Sequence, residues 1–137
     1  MEIVSSILYL VSCMENQNNK IKSFTDLNAW KEAHKLAIMI YKATDNFPSK
    51  ENFGLTSQMR RSAVSVSSNI AEGFSRATNK DKYQFYSIAQ GSLTELQNQL
   101  LISKDVGYLE EQNFMNIANQ TVTVNKLING LKRIRNQ

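Results

Sequence analysis

Apolar residues recur along residues 55–76 at steps of four and three, which is the spacing of one face of an α-helix. The members of this apolar stripe are Leu55, Met59, Ala63, Val66, Ile70 and Phe74. A second stripe beside it is entirely polar and contains Gln58, Ser62, Ser65, Asn69, Glu72 and Arg76. Most of these polar side chains are short hydrogen-bonding groups, whereas a solvated helix face is usually rich in Lys and Glu. The pattern therefore predicts a helix that packs on a core and also meets a second polar surface.

Three further segments show the same helical period. The first predicted helix runs from a cap at Thr25 or Asp26 to about Asp45, with its apolar face at Ala29, Ala33, Leu36, Ile40, Ala43 and Phe47. The third starts at a capping box formed by Thr78 and Asp81, ends near Asp105 before Gly107, and has its stripe at Tyr86, Ala89, Leu93, Leu96, Leu100 and Ser103. The fourth starts near Glu110 and carries Phe114, Ile117, Thr121, Val124, Ile128 and Leu131.

Four long helical segments joined by short connections predict an all-α protein, an antiparallel up-down-up-down four-helix bundle. One proline and five glycines in 137 residues leave little material for turns, which favours the same fold. We expect residues 23–137 to form this bundle domain. Residues 1–22 are expected to be a disordered or mis-annotated leader, in which Met14 is the true start and residues 1–13 are either not translated or a loosely packed tail.

The third helix has its own polar interruption at Ser92, Glu95 and Gln99. Antiparallel pairing with the second helix would bring these residues near the polar stripe. The resulting hypothesis is a partly buried hydrogen-bonded network that fixes the register of two helices or of two subunits. Its predicted members are Gln58, Ser62, Ser65, Asn69, Glu72, Ser92, Glu95 and Gln99, with Arg61 or Arg76 compensating charge. The alternative is that both stripes face water.

Few residue types that support catalysis are present. Cys13 and His34 are the only cysteine and histidine, so one chain offers neither a disulfide nor a Cys/His zinc site. No glycine-rich phosphate loop, nucleophile elbow or HExxH motif occurs. The apolar run near the N-terminus is too short to cross a bilayer. We therefore expect no enzyme activity, cofactor or metal, no membrane contact and a cytoplasmic location.

Basic residues cluster in two places, and the chain carries a net charge of +4. Residues 56–82 contain five basic residues against two acids, and no acid follows Glu111. The candidate contacts for RNA or DNA are Arg60, Arg61, Arg76, Lys80, Lys82, Lys126, Lys132, Arg133 and Arg135. Two alternatives stay open: these are ordinary solvated charges, or the protein is an interaction scaffold for another protein and has no nucleic-acid role.

Several runs of sequence resemble a bacterial family of four-helix-bundle proteins first noticed as reading frames inside intervening sequences of large-subunit ribosomal RNA genes. These runs are residues 58–65 and 69–76, Phe24-Thr25-Asp26-Leu27 with Trp30, Phe47-Pro48, residues 88–96, Gly107-Tyr108 and Gly130-Leu131. The resemblance covers the chain from about Ser23 onward. It implies an antiparallel bundle that assembles as a homopentameric barrel, and kinship with accessory proteins that help retroelement reverse transcriptases by binding nucleic acid. It carries over no catalytic residues.

Overall fold

Four α-helices account for most of the chain, and the computed structural model describes residues 20–134. The helices are α1 (Asn28–Thr44), α2 (Leu55–Ser75), α3 (Asn79–Asp105) and α4 (Glu111–Arg133). Single 3₁₀ turns at Phe24–Asp26 and Ser49–Glu51 precede α1 and α2. No strand occurs within the described residues, so the predicted all-α class is confirmed.

Each helix packs against its neighbours in sequence, and α1 closes the bundle against α4. Cross-helix contacts give the directions. The Ser103 hydroxyl near the end of α3 lies 3.2 Å from the Met59 sulfur near the start of α2. Lys104 at the end of α3 pairs with Glu111 at the start of α4 at 3.7 Å. Consecutive helices therefore run antiparallel, as expected for a bundle with short connections.

The core lies where the four apolar stripes converge. Every residue of the stripe predicted for α3 is buried, from Tyr86 to Ser103. Leu36, Met59 and Val124 are fully buried and bring α1, α2 and α4 to the same interior. Burying a side chain of this size contributes about 1.5–3 kcal/mol, so the shared core is the main stabilising element of the fold. The predicted end residues, such as Leu55 and Leu131, are only half-buried and close the two ends.

The start of α1 differs from the prediction, which placed a helix cap at Thr25 or Asp26. The Ser23 hydroxyl instead accepts a hydrogen bond from the Thr25 amide at 3.2 Å, and the Asp26 carboxylate accepts one from the Ser23 amide at 3.1 Å. These reciprocal bonds form a capping box around the 3₁₀ turn. The backbone is then extended at Leu27, and α1 begins only at Asn28. The residues predicted to cap α1 therefore belong to the separate 3₁₀ turn that precedes it.

Two glycines are required by their positions near helix ends, Gly107 by its backbone conformation and Gly73 by a close contact. Gly107, after the end of α3, has a φ of 87°, a conformation that glycine adopts without strain. Gly73 near the end of α2 allows a close approach, because a Cβ atom there would lie 2.6 Å from Cε1 of Tyr86. Thr78 also caps α3 as predicted, since its hydroxyl accepts from the Asp81 amide at 3.1 Å.

Candidate nucleic-acid interface

A small hydrogen-bonded cluster joins the middles of α2 and α3. The hydroxyls of Ser65 and Ser92 lie 2.8 Å apart across the two helices. The Asn69 amide donates to the Ser65 hydroxyl at 3.1 Å and to the Ser65 carbonyl at 2.8 Å. All three side chains are half-buried. We call Ser65, Asn69 and Ser92 the polar seam, because they form the polar contact between α2 and α3.

The other predicted members of the network lie outside this seam. Gln58, Glu72 and Glu95 are exposed. Glu95 makes no hydrogen bond or ion pair within residues 20–134, although the sequence placed it near Asn69. Ser62 is buried. Gln99 is half-buried, and its Oε1 atom is buried without a hydrogen-bond partner in the described chain.

Arg60 is bound to the end of α1. Its Nε donates to the Thr44 hydroxyl at 2.9 Å, and its Nη2 donates to the Asp45 carboxylate at 3.0 Å. The guanidinium also lies over the Tyr41 ring, 4.7 Å from the ring centre. These contacts hold the side chain in one orientation, and the Asp45 carboxylate offsets part of its charge.

Arg76 and Lys82 are likewise engaged within the bundle. Arg76 pairs with Glu72 one turn earlier and stacks on the Phe85 ring at 4.5 Å. The Lys82 amine donates to the Phe74 carbonyl at 2.6 Å, one of the carbonyls left unpaired at the end of α2. A cation at this position also complements the negative end of the helix dipole.

Lys132 belongs to a polar cluster between α3 and α4 that the sequence reasoning missed. Its amine donates to the Gln90 Oε1 at 2.8 Å and lies over the Tyr83 ring. The Gln90 amide in turn donates to Asn129 at 2.6 Å and Asn125 at 2.9 Å. The available signal was the i, i+4 spacing of the two asparagines, which places them on one side of α4.

The remaining candidate cations have no internal partner. They are exposed and make no hydrogen bond, ion pair or ring contact within the described residues: Arg61, Lys80, Lys126 and Arg133. Arg135, the ninth candidate, lies outside the described residues. Lys80 is at the start of α3, Arg133 is at the end of α4, and Lys126 lies two turns before Arg133. Because α3 and α4 run antiparallel, these three lie in the half of the bundle that contains the start of α3, and we call them the basic edge.

A second cross-helix contact missed by the sequence analysis joins α4 to α1. Gln120 is buried, and its amide donates to the Glu32 carboxylate at 2.7 Å and to the Glu32 carbonyl at 2.9 Å. Gln120 sits next to the predicted stripe residue Thr121, so a slightly wider buried face would have included it. This contact fixes α1 against α4 on the side away from the polar seam.

Two groups have shifted pKa values. The backbone amides of Lys22 and Ser23 donate to the Asp26 carboxylate and hold its pKa below the ordinary value. Burial against Gly73 raises the pKa of the Tyr86 phenol above its ordinary value, because the charged phenolate would lose its hydration. Asp26 belongs to the capping box and Tyr86 packs against Gly73, so both shifts follow from contacts that hold the fold together.

The only histidine offers no catalytic arrangement. His34 is exposed and stacks on Trp30 with ring centres 4.8 Å apart. No cluster of three His, Cys, Asp or Glu side chains able to hold a metal ion occurs between residues 20 and 134. Across those residues, no helix has both the length and the apolar content that a membrane span requires.

Fold and surface together define a class: an antiparallel four-helix bundle with a polar seam between α2 and α3 and a basic edge at one end. Residues 25–130 match the family of the 23S rRNA-intervening sequence protein, and the chain belongs to this family. A solved structure from Bacteroides thetaiotaomicron, a protein with unknown function from the S23 ribosomal protein family, has the same fold. It is 20% identical, with a TM-score of 0.71 over 77% of this chain and 95% of that one. No curated protein matches the sequence significantly.

Proposed function

We propose that this protein is a non-catalytic, oligomeric four-helix bundle of the cytoplasm that binds RNA or DNA through a basic surface. The observation that carries the proposal is the basic edge. Lys80, Lys126 and Arg133 are exposed and have no internal partner within the described chain. They can therefore pair with phosphates without breaking any contact that holds the bundle together.

The engaged cations are poorer candidates for the first contact with a phosphate. Arg76 would have to leave Glu72, and Lys82 would have to leave the carbonyls at the end of α2. Exposed free cations carry no such cost, and each phosphate they neutralise releases condensed counterions. The sequence has no aromatic-basic motif of the RNA-recognition type, so binding at the basic edge should follow charge and shape with little sequence preference.

Assembly would multiply this charge. Five copies at +4 each form a strongly basic particle, with one basic edge per copy. The pentamer itself is proposed from the family resemblance. It is supported by apolar side chains on the outer face of α3 and α4, where Leu101, Met115 and Val122 are each 43–50% exposed. Contiguous exposed apolar side chains mark surfaces that associate with protein.

Salt-dependent retention of RNA and DNA tests the nucleic-acid role. The charge variant combines Lys80→Gln, Lys126→Gln and Arg133→Gln. A matched control combines Lys35→Gln, Lys42→Gln and Lys50→Gln, which are also exposed and unpaired within residues 20–134. Losing three phosphate contacts lowers the slope of log affinity against log salt by about two on a single strand. Equal slopes for the two triple variants would refute the basic edge, and a wild-type protein that retains neither polymer at low salt would refute nucleic-acid binding.

A scaffold that holds another protein is the second candidate function. Its support is Phe53, whose side chain is fully exposed in the connection between α1 and α2. Exposed aromatic residues are frequent anchors of protein interfaces. Salt separates the two candidates, because apolar anchoring survives moderate salt and phosphate contacts weaken steeply. A protein partner retained after nuclease treatment at moderate salt would favour the scaffold.

A further inference from the structure

An open groove runs beside the first turns of α2, at the opposite end of the bundle from the basic edge. Its lining includes Tyr41 from α1, Asn52 from the connecting segment, and Thr56, Ser57, Arg60 and Arg61 from α2. The groove thus combines two guanidinium groups with hydroxyl and amide groups. That combination suits the oxygen atoms of a phosphate, which accept several hydrogen bonds at once.

The two arginines present their charge to the groove in different ways. Arg60 is fixed by Thr44 and Asp45, but its Nη1 makes no hydrogen bond. Arg61 is exposed and has no partner within the described residues. A preoriented guanidinium beside a free one can grip a phosphate from two sides at a small cost in side-chain order.

Thr56 at the groove adds an independent observation. This side chain is only 5% exposed, and its hydroxyl oxygen has no hydrogen-bond partner among residues 20–134. Buried hydroxyls are nearly always paired, because leaving one unpaired is unfavourable. The Thr56 oxygen is buried, so an oxygen-rich ligand beside Ser57 would supply the missing partner once the Thr56 side chain rotates toward the groove.

The nearby acids offset only part of the positive charge. None of the groove-lining residues in the described chain is acidic. Asp45 pairs with Arg60 and offsets part of its charge, whereas Arg61 has no acidic partner within the described residues. Glu51 is not among the lining residues, and its carboxylate accepts hydrogen bonds from the Leu55 amide at 3.3 Å and the Tyr108 hydroxyl at 3.1 Å.

Two exposed aromatic residues accompany the groove, Tyr41 within its lining and Phe53 next in the chain to the lining residue Asn52. Phe53 directly follows Asn52, and its side chain is fully exposed. The Tyr41 ring, 44% exposed, already carries the Arg60 guanidinium on one face. Aromatic side chains beside a positively charged groove are the arrangement with which proteins bind single strands, because every base has a face that stacks.

We propose that this groove binds single-stranded nucleic acid, with a backbone phosphate between Arg60 and Arg61 and an adjacent base stacked on Phe53. This inference rests on the proposed nucleic-acid role and adds a second contact to it, at the other end of the molecule from the basic edge. A duplex keeps its bases stacked inside the helix, so it can offer the phosphate but not the base.

The test measures binding of an oligouridine of about 12 nucleotides and of a duplex of the same length by fluorescence anisotropy across a salt series. Phe53→Ala is expected to weaken oligouridine binding roughly tenfold and to leave duplex binding unchanged, because it removes only base stacking. Arg61→Gln is expected to lower the single-strand salt slope by about 0.7, the value for one lost phosphate contact. The matched controls are Val106→Ala, an exposed apolar residue in another connection, and Lys35→Gln on α1.

The possible failures are distinguishable. Wild-type protein that binds no RNA or DNA at low salt would overturn the proposed function and this inference together. Binding that is weakened by the basic-edge variants and unchanged by Phe53→Ala and Arg61→Gln would overturn the groove alone. Equal affinity of the wild type for single strand and duplex would overturn the stacking contact. The stacking contact would also be overturned if Phe53→Ala released a nuclease-resistant protein partner and left the affinity for oligouridine unchanged.

Discussion

Gly73 shows how one residue sets the distance between two helices. The Tyr86 ring occupies the space where a Cβ atom would project, with Cε1 at 2.6 Å and Cδ1 at 2.9 Å from that position. The Phe85 Cβ is also close, at 3.2 Å. The ring is buried and cannot swing into solvent without opening the core. Glycine lowers helix stability relative to alanine, but a larger residue at this position would push α2 away from α3.

Gly73→Ala is expected to destabilise the protein by about 1–2 kcal/mol, since overpacking of about 1–3 kcal/mol exceeds the gain of up to about 1 kcal/mol in helix propensity. Gly91→Ala is the matched control, because nothing lies within 4 Å of a Cβ at that position of α3. The control should stabilise the protein by about 0.5–1 kcal/mol. Urea unfolding measures both changes. Two shifts of the same sign would contradict the close contact with Tyr86.

Asp26 provides a pH-dependent contribution at the residue scale. Its pKa is lowered by the Lys22 and Ser23 amides, so the folded state favours the ionised carboxylate. The resulting stabilisation is complete above the ordinary carboxyl value of 3.8 and is lost as the pH falls through the lower folded value. Asp26→Asn should therefore lower the melting temperature at neutral pH, and its difference from the wild type should shrink below about pH 4. Glu95→Gln serves as the control, and a constant difference for Asp26→Asn across that range would speak against the capping carboxylate.

At the scale of whole elements, the polar seam decides how α2 and α3 pair. Ser65, Asn69 and Ser92 satisfy one another in the half-buried space between the two helices. Apolar contacts alone are tolerant of sliding, whereas a hydroxyl pair at 2.8 Å is made in one register only. The seam therefore adds specificity to an interface whose stability comes from the core.

Asn69→Ala is expected to cost about 1 kcal/mol, because it removes both hydrogen bonds to Ser65. Glu95→Ala should stay within about 0.5 kcal/mol of the wild type, since Glu95 is exposed and has no partner in the described chain. Thermal and urea unfolding compare the two variants directly. A larger loss for Glu95→Ala would mean that the carboxylate takes part in the contact as the sequence suggested.

The helices also show which features can be predicted from the sequence and which cannot. Helical period alone predicted the buried stripe of α3 residue by residue, because burial follows directly from the geometry of one helix. The side chains that cross between helices were harder to predict, since they depend on axial offset and rotamer. This is why Ser65 and Ser92 were placed together correctly, whereas Gln90 and Gln120 were missed. Phe53 and Thr56 were also missed, because neither an exposed connection nor a missing hydrogen-bond partner leaves a periodic signal.

At the scale of the whole molecule, exposed groups are distributed unevenly over the surface. The basic edge lies at one end of the α3–α4 pair, and the groove with Arg60 and Arg61 lies at the opposite end of α2. The outer face of α3 and α4 carries Leu101 near the end of α3, Met115 near the start of α4, and Val122 two turns further along α4. Gln97, Leu101 and Lys104 lie on one side of α3, because they are spaced by four and three residues. Gln97 and Lys104 both contact α4, so Leu101 lies on the side of α3 that faces α4, and Met115 and Val122 lie on α4.

If the proposed pentamer forms through this face, Leu101→Glu combined with Val122→Glu is expected to reduce it to single chains, because burying two carboxylates at a contact between copies is strongly unfavourable. Ile38→Glu on α1 is the matched control, an apolar residue 44% exposed on another face, and it should leave the particle mass unchanged. Light scattering and native mass spectrometry measure the assembly, while circular dichroism checks that the helices remain. Since neither Leu101 nor Val122 is buried in the single chain, the bundle itself should stay folded. A double variant with wild-type mass would move the contact between copies to another face, and a wild type with the mass of one chain would refute assembly altogether.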